Sequence, residues 1–517
     1  MTQHTDEAID TTPRLKLRSF LGYAAGDAGN NLAFSLASGF LLLYYTDVVG
    51  ISPAYAAPIF LIVRIWDAFF DVFVGRMVDH TKSRWGKFRP WILFASLPLL
   101  LSSVWAFSLP ATDSQAMKLF WAYLSYTLLN LLYSMVNIPY GSLASAMTQR
   151  PTERAKLATF RSLGSATVGL LLSFAVAPMV QRWSASSLYK GKLAELGSNP
   201  TETQLAAAAA SAQAEAAAGL QSSLTTITLI FVVLGMALYL FTFFTAKEQV
   251  IRPLEDNVSF KESLGAVLRN KPLMWLCVSS LIFLTATITL STMGIYYARD
   301  VLENAGLMAV LSAVMTAAIF AVAPFISRLV ARYGKRFLYL AGTAAFVFGG
   351  ALAFVATPAT AWIGIVAYFF LGIGTGLVNT LMWAMEADTI EYSEWKTGHR
   401  TEGTTYAVFS FVRKLGQAFG GFIGAAILGL TGYVGTQAVQ TEQAIDGIRI
   451  ATALVPAGLA VLTFLIMLKY PLTDRAYRAI ALENEERKAA ARAQAAAGGQ
   501  PQDAQHLPTA PAAGSTD

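Results

Sequence analysis

Long apolar segments recur along almost the whole of this chain, and they constrain its fold more than any other feature. A helix needs about 20 predominantly apolar residues to cross the hydrocarbon core of a bilayer. The hydrophobic fraction of 55% and the charged fraction of 14% are typical of a polytopic membrane protein and not of a soluble chain of 517 residues. We predict an all-α membrane protein with twelve transmembrane helices, near residues 19–46, 55–78, 90–109, 118–147, 158–180, 223–245, 273–297, 307–330, 337–356, 361–390, 404–431 and 449–470.

Lysine and arginine are unevenly distributed between the loops, and this indicates the orientation of the chain. The loops after the second, fourth, sixth and eighth segments are rich in them, whereas VVGISPAYA, PATDSQA and ATPATA contain none. The positive-inside rule then places both termini in the cytoplasm. Because the formal charge of +6 is spread over these short loops, it indicates membrane topology and no nucleic-acid partner.

A short motif occurs twice, as RWGKF at 84–88 after the second segment and as RYGKR at 332–336 after the eighth. The two glycines are 334 − 86 = 248 residues apart, close to half of the chain. We interpret this as two six-helix halves around a central cavity. The predicted domains are an N-terminal tail 1–18, a first bundle 19–245 with a non-cytoplasmic insertion 182–222, a cytoplasmic linker 246–272, a second bundle 273–470 and a partly disordered tail 471–517.

Two of these connections have a predicted local structure. The insertion contains the alanine-rich run LAAAAASAQAEAAAGL, which favours a loosely packed helix. In the linker, Phe260, Leu264, Val267 and Leu268 fit one face of a short surface helix.

The second segment carries three charges inside otherwise apolar sequence. Arg64, Asp67 and Asp71 have the spacing i, i+3, i+7, which places them on one face of a helix. A charge at the centre of a membrane helix costs roughly 2.5–3.5 kcal/mol on insertion scales, so such residues pair or face water. Arg64 can neutralise one carboxylate and leaves the other without a partner. The remaining carboxylate predicts a cation or proton site. The alternative is an ion pair that only holds helices together.

Polar residues in the first segment suggest a place for a hydroxyl-rich ligand. Asn30 and Asn31 offer both donors and acceptors, and Asp27 can pair with a basic residue elsewhere. Small residues around them permit close helix packing, so polar contacts between helices are an equally good interpretation.

The fourth and fifth segments extend the candidate substrate site. Pro139 frees a backbone carbonyl and bends its helix, which places four polar side chains about an opening: Tyr133, Ser134, Asn137 and Tyr140. Arg161 lies a short way into the fifth segment, where a guanidinium needs a partner or a ligand such as a carboxylate or vicinal hydroxyls.

Charges gather again where the tenth segment meets the predicted cytoplasmic edge. We interpret them as interhelical ion pairs that close a cytoplasmic gate, with plain solvated charge as the alternative. The acidic residues Glu386, Asp388 and Glu391 are expected to meet Lys396, Arg400 and Glu402.

The eleventh segment contains two adjacent cations, Arg413 and Lys414, in an otherwise apolar, glycine-rich helix. Neighbouring side chains point about 100° apart, so both cannot face the same cavity equally. We expect one to meet Asp67, Asp71 or a ligand and the other to turn to the cytoplasmic charges.

The sequence offers little for an enzyme or a metal centre. Four histidines stand in no ligand spacing, and neither H-x-x-H nor G-x-S-x-G occurs. Cys277 is the single cysteine, so no intramolecular disulfide forms. We predict a secondary transporter without a cofactor. A non-transporting sugar sensor and an uncoupled facilitator are the alternatives, and only the two acids of the second segment argue against the facilitator.

With these residues in place, the chain resembles the glycoside–pentoside–hexuronide:cation symporters of the major facilitator superfamily. The resemblance covers about residues 18–475 without the insertion, and its AGDAGNN and NIPYGSLA blocks are most similar to the glucuronide and pentoside carriers of the family. The matching blocks are YYTDVVG (44–50), RIWDAFFDVFVGRMVD (64–79), SRWGKFRPW (83–91), NIPYGSLASAMTQ (137–149), EADTIEY (386–392) and EGTTYAVFSFVRKLGQAFGG (402–421).

The resemblance implies roles for particular residues. Asp67 and Asp71 match the acids of the family's cation site, and Ser134 matches a hydroxyl ligand of that site. Lys414 matches a lysine between sugar and cation, and Arg161 matches an arginine at the sugar pocket. The implied protein is a symporter of the bacterial inner membrane.

The chain also departs from the melibiose carriers of the family. Asn31 and Asn137 stand where those carriers have sugar-holding aspartates, and Gly141 stands where they have a pocket tryptophan. Phe70 replaces an asparagine among their cation ligands.

These departures have chemical consequences for substrate and cation. The loss of two carboxylates and the presence of Arg413 make the cavity more positive, so charge-assisted bonds favour a uronide or another glycoside over a plain galactoside. Sodium needs several oxygen ligands and a proton needs one carboxylate, so the Phe70 position favours H⁺ over Na⁺. The predicted partners are a small-molecule glycoside, the coupling cation and the lipid bilayer, with no obligate protein partner.

Overall fold

The computed structural model describes residues 14–148, 150–196, 200–249, 265, 269–397, 402–437 and 439–496. Its regular structure in these ranges is entirely helical, which confirms the all-α prediction. The N-terminal half contains α1 Leu17–Leu43, α2 Pro53–Asp79, α3 Arg89–Ala106, α4 Gln115–Met147, α5 Pro151–Arg182, α6 Ala185–Leu196 and α7 Glu202–Thr245. The C-terminal half contains α8 Lys271–Tyr296, α9 Leu307–Val322, α10 Ile326–Tyr333, α11 Lys335–Val355, α12 Ala361–Thr397, α13 Glu402–Leu430, α14 Glu442–Arg449 and α15 Val455–Met467, followed by α16 Asp474–Ala496.

Short 3₁₀ or π-helical segments continue several of these helices. A 3₁₀ turn joins α9 to α10, so the two act as one long helix. The π-helical segments are Tyr44–Val48 after α1, Tyr297–Val301 after α8 and Ile450–Leu454 between α14 and α15. Such wide turns occur frequently at functional sites.

Nine helical segments within the described ranges are long and apolar enough to cross a membrane. These nine segments include every long helix except α1, α2, α13 and the charged α16. The first three of these are the helices that carry Asp27, Asp67 and Lys414, and polar side chains lower their hydropathy. Together with these three, the nine segments are consistent with the twelve predicted spans.

The two halves meet along three pairs of helices: α1 with α8, α2 with α13, and α5 with α9. Glycines of α13 allow the closest approach. A Cβ atom on Gly421 would lie 3.2 Å from Phe60, and one on Gly429 would lie 2.8 Å from the backbone nitrogen of Ala54. The backbone of α13 therefore packs directly against α2 and fixes how the polar residues of the two helices face each other.

The repeated glycine motif forms the same turn in both halves. Gly86 has φ = 101° and Gly334 has φ = 84°, a conformation that residues with a Cβ rarely adopt. The Glu248 carboxylate accepts hydrogen bonds from the backbone N–H groups of residues 87–89 at 2.9, 2.8 and 3.1 Å. Asp474 accepts the N–H that follows Gly334 at 2.9 Å. Each turn is therefore held by a carboxylate that follows the last apolar helix of its own half.

These turns define one end of the bundle, called the basic end below because its loops hold most of the lysine and arginine residues. The opposite end, where α1 ends and α2 begins, is called the distal end. These terms describe the molecule and do not depend on its orientation in a membrane.

The described part of the alanine-rich insertion is helical, as predicted, and its packing differs between its two helices, because the first buries no residue and the second buries one face. Residues 185–196 form α6, and the alanine-rich run is the first part of α7, whose 44 residues are longer than a membrane span requires. Ala208, Ala212 and Ala216, four residues apart, are buried along one face. The small methyl groups on this face of α7 allow close packing against its neighbours.

Other predicted segments fall partly outside the described ranges. The surface helix expected at Phe260, Leu264, Val267 and Leu268 lies outside them, as do residues 1–13 and 497–517. Of the predicted tail, α16 is a helix that packs against α12. The indole nitrogen of Trp395 donates to Glu483 at 2.8 Å, and Asn484 donates to the backbone oxygen of Glu391 at 3.1 Å.

Candidate cation and substrate site

The two acids of α2 share one lysine from the opposite half of the molecule. The Lys414 ammonium lies 3.1 Å from Asp67 Oδ2 and forms an ion pair with Asp71 as well. Ser134 of α4 donates its hydroxyl to Asp67 Oδ1 at 2.8 Å. We call Asp67, Asp71 and Lys414 the ion triad. It is the point at which charged groups of the two halves meet on α2 and α13.

The ion triad has one carboxylate more than it has cations. The side chain of Asp67 is 2% exposed and that of Asp71 is 22% exposed, so Asp71 is the acid that water reaches. Its Oδ1 atom is nevertheless buried and has no hydrogen-bond partner among the described residues. A buried carboxylate oxygen without a donor is unfavourable unless a proton or a cation binds there.

Arg64 does not form the ion pair expected from the sequence. The prediction that it neutralises one of the two carboxylates is wrong, because Lys414 does so. Arg64 instead donates from Nε to the Tyr126 hydroxyl at 3.1 Å and from Nη1 to Gln417 Oε1 at 3.3 Å. Its guanidinium also lies 4.9 Å from the centre of the Phe34 ring. The i, i+3 spacing shares a face, but the side chain extends toward the distal end of the bundle.

A second charged cluster joins α1 to α5. Arg161 Nε donates to Asp27 Oδ1 at 2.8 Å, and Asn31 donates to Asp27 Oδ2 at 2.9 Å. Ser35 in turn donates to Asn31 Oδ1 at 3.2 Å. Asp27 is buried, whereas the Arg161 side chain remains 39% exposed. Arg161 therefore keeps open donors beside Asn31.

Asn30 points into the packed interior of the N-terminal half. It donates to Asn137 at 3.4 Å and accepts from the Tyr239 hydroxyl at 2.7 Å. It is 1% exposed. The expectation that it contacts a ligand does not fit this conformation, in which it packs between helices. Tyr133, also predicted for the substrate site, stacks on Phe34 with ring centres 5.2 Å apart.

Arg413 lies against α12 and not in the cytoplasmic charge cluster, so that part of the prediction is wrong. Its guanidinium lies 4.9 Å from the centre of the Trp383 ring and 5.8 Å from that of Phe409. Its one hydrogen bond to a described residue goes to the Met382 sulfur at 3.4 Å. Among the described residues it forms no ion pair, so its charge is offset by aromatic faces alone.

The predicted cytoplasmic gate is different in the structure. Asp388 pairs with Lys335 at 2.6 Å, and both belong to the C-terminal half, so this contact does not bridge the two halves. Arg400 lies outside the described residues, and so does the side chain of Glu402. Glu391 accepts from α16 through its backbone oxygen. The sequence shows that charged residues are concentrated here. Which cation pairs with Asp388 depends on the position of the loop before α11.

A network that the sequence analysis missed joins the halves at the distal end. Arg299, at the π-helical end of α8, forms ion pairs with Asp47 of the N-terminal half and, at 2.8 Å, with its neighbour Asp300. Tyr433, just after α13, donates to Asp47 Oδ1 at 3.0 Å. We call these four residues the distal network. All three charged side chains in it are nearly buried.

Two further contacts reinforce the distal network. The hydroxyls of Thr46 and Tyr296 lie 2.9 Å apart across the two halves. Gln213, from the alanine-rich part of α7, donates to the backbone oxygens of Asp47 at 3.3 Å and Gly435 at 3.1 Å. The structure is therefore closed at the distal end.

A second internal repeat contains charged residues of this network and could have drawn attention to them. YYTDV at 44–48 corresponds to YYARDV at 296–301, and both stretches end in a π-helical segment. The two aspartates are 300 − 47 = 253 residues apart, close to the spacing of the repeated glycines. The repeat marks equivalent helix ends in the two halves, but it does not reveal that they contact each other.

Comparison with known proteins decides the family. The sequence model of the MFS/sugar transport protein family matches residues 22–474. The chain belongs to that family. The predicted resemblance to the glycoside–pentoside–hexuronide:cation symporters is thereby confirmed, and this MFS/sugar transporter is a membrane carrier and not an enzyme.

Two curated relatives and one solved structure resemble this MFS/sugar transporter. The glucuronide carrier protein homolog of Escherichia coli is 40% identical over 476 residues, covering 92% of this chain and 97% of the relative. The isoprimeverose transporter of Lactiplantibacillus pentosus is 32% identical and covers 84% of each chain. A bacterial homolog of the human lysosomal transporter Spinster has the same fold, with a TM-score of 0.59, 12% identity and coverage of 89% and 98%.

Proposed function

We propose that this transporter is a proton-coupled symporter that carries an acidic glycoside, such as a glucuronide, into the cell by alternating access. The ion triad is the coupling site, and the Asp27–Arg161 cluster belongs to the sugar site. The observation that carries the proposal is the surplus carboxylate of the ion triad, with its unpartnered oxygen on Asp71.

Proton coupling follows from the charge of the ion triad. Two carboxylates and one ammonium have a net charge of −1. Such a charge is costly within a membrane, and one bound proton neutralises it. When Asp71 is protonated, Lys414 keeps Asp67 as its single partner, so the attraction between α2 and α13 changes. Because α2 and α13 belong to different halves, proton binding acts on the contact that alternating access has to rearrange.

Sodium is the less suitable cation for this site. The described contacts of the ion triad bring together the side-chain oxygens of Asp67, Asp71 and Ser134, while Phe70 packs against Phe73. Sodium would need further oxygen ligands that a proton does not. Sodium-driven uptake of a neutral oligosaccharide is therefore the alternative that the experiment must exclude.

An acidic substrate fits the charge balance of the candidate site. Four cations and three carboxylates give 4 − 3 = +1, and the coupling proton raises this sum to +2, so a substrate carboxylate would offset part of the surplus and form charge-assisted hydrogen bonds. The relative that is named as a glucuronide carrier homolog supports the same class. The seven residues counted are Arg64, Arg161, Arg413, Lys414, Asp27, Asp67 and Asp71.

The orientation follows from the loop charges. The basic end faces the cytoplasm and the distal end faces outward in a bacterial inner membrane, with both termini inside. On this assignment the structure is closed to the outside by the distal network. Asp71 and Lys414 of the ion triad and Arg161 of the second cluster are partly exposed, which fits a site that releases its substrate and proton to the cytoplasm.

Uptake by right-side-out membrane vesicles under imposed gradients tests the proposal. We expect an inward proton gradient to drive accumulation of 4-nitrophenyl β-D-glucuronide, and a sodium gradient at equal pH to have no effect. Accumulation that depends on sodium at a constant proton gradient would contradict proton coupling. Equal inside and outside concentrations under both gradients would indicate an uncoupled facilitator.

A further inference from the structure

A small cavity lies on the boundary between the two halves, about one helical turn from the ion triad toward the distal end. Its volume is about 10 Å³, close to the room that one water molecule needs. Its lining comes from both halves, Ser38, Phe60, Arg64 and Tyr126 on one side and Ile288, Thr292, Gln417 and Gly421 on the other.

Arg64 brings to this cavity a buried charge that contacts no carboxylate of the described residues. It is 6% exposed, and both of its hydrogen bonds go to neutral oxygens. Its Nη2 group has no hydrogen-bond partner among the described residues. The acid one turn away, Asp67, is already engaged by Ser134 and Lys414. A buried guanidinium that lacks a carboxylate and faces a cavity has the properties of an anion site.

We infer that Arg64 and Gln417 form the subsite that holds the carboxylate of an acidic glycoside when the distal end is open. This inference rests on the proposed function and names the residues that select its substrate class. The planar fork of the guanidinium matches a carboxylate in two-point contact. The Gln417 side chain carries an N–H₂ donor on the amide group whose oxygen now accepts from Arg64.

The position of the cavity explains how this subsite changes with conformation. One wall belongs to each half, so separation of the halves at the distal end enlarges it, and closure at that end reduces it to its present volume. A sugar carboxylate fits only the enlarged cavity. Closure of the distal network therefore expels the carboxylate from Arg64 toward the basic end, where the exposed side chain of Arg161 lies.

Counterflow in proteoliposomes tests this inference without any ion gradient. The probes are 4-nitrophenyl β-D-glucuronide and 4-nitrophenyl β-D-glucoside, which differ only by a carboxylate in place of a hydroxymethyl group. We expect the wild-type protein to prefer the glucuronide. We expect Arg64→Gln to lower the ratio of glucuronide to glucoside exchange by about tenfold or more, because a charge-assisted contact is lost. Arg76→Gln, an exposed arginine of the same helix, is the matched control and keeps the ratio.

Gln417→Glu provides an independent variant that retains Arg64. The new carboxylate would lie beside Arg64 Nη1, where it would occupy the subsite permanently, so the ratio falls while glucoside exchange continues. An unchanged ratio in both variants, or an equal loss of both substrates in both, would overturn the assignment. A wild-type protein that exchanges the glucoside and ignores the glucuronide would overturn it as well. Gradient-driven uptake tests proton coupling separately, so the two failures are distinguishable.

Discussion

At the scale of single residues, the account depends on how Lys414 is shared. One ammonium serves two carboxylates, and the second acid retains a buried oxygen without a donor. If the site were only a structural ion pair, one carboxylate would be enough. The surplus acid is explained by a transient positive partner that arrives with the substrate.

Neutral substitutions of these acids separate coupling from sugar translocation. We expect Asp71→Asn to abolish accumulation of 4-nitrophenyl β-D-glucuronide and to retain exchange of internal for external sugar, because the amide cannot take up the proton. Asp67→Asn is expected to behave similarly. Both are measured as the steady-state concentration ratio and as counterflow in the same vesicles.

Asp446→Asn is the control for this experiment, because Asp446 is an exposed acid that lies 3.9 Å from Arg449 in its own helix. It should accumulate sugar like the wild type. If both Asp67→Asn and Asp71→Asn still concentrate the glucuronide, the ion triad is not the coupling site.

At the scale of helices, the sequence was sufficient for some features and not for others. The spans, the turn at Gly86 and its repeat at Gly334 follow from hydropathy and local motifs, which act within a few residues. The partners of Arg64 and Arg413 depend on how α2, α12 and α13 are rotated against one another. Lys414 and Asp67 are 414 − 67 = 347 residues apart. The sequence predicted that one of the two adjacent cations meets Asp67, Asp71 or a ligand, but it did not indicate that Lys414 is the one.

The π-helical ends of α1 and α8 form the outward closure, and a test of accessibility addresses them. We expect Arg299→Gln to open the distal end, because it removes charge-assisted contacts to Asp47 and Tyr433, each of which shifts an equilibrium by about tenfold or more. The measurement is the rate at which an impermeant maleimide, added outside, labels Ser38→Cys in a Cys277→Ser background.

The background substitution removes the single cysteine of the chain, which is buried. Arg449→Gln is the matched control, because that arginine also lies near the distal end but, among the described residues, pairs with a carboxylate only within its own helix, at 3.9 Å. Labelling should accelerate in Arg299→Gln alone. A rate equal to that of the control would show that the distal network does not hold the outward side closed.

At the scale of the whole molecule, two similar halves meet along a boundary that carries most of the polar chemistry. The ion triad, the Arg64 cavity and the distal network all lie on it and follow one another toward the distal end. Closure at that end is compatible with a small cavity at Arg64 and with partial exposure of Asp71. Movement of one half against the other thus changes the environment of cation and substrate together, as symport requires.

Proton movement on addition of substrate tests the central claim most directly. A pH electrode in a suspension of de-energised cells records the external pH when 4-nitrophenyl β-D-glucuronide is added. The account predicts a transient alkalinisation with the wild-type protein and with Asp446→Asn, and none with Asp71→Asn. Substrate entry without a change in pH in the wild type, or an equal alkalinisation with Asp71→Asn, would contradict it.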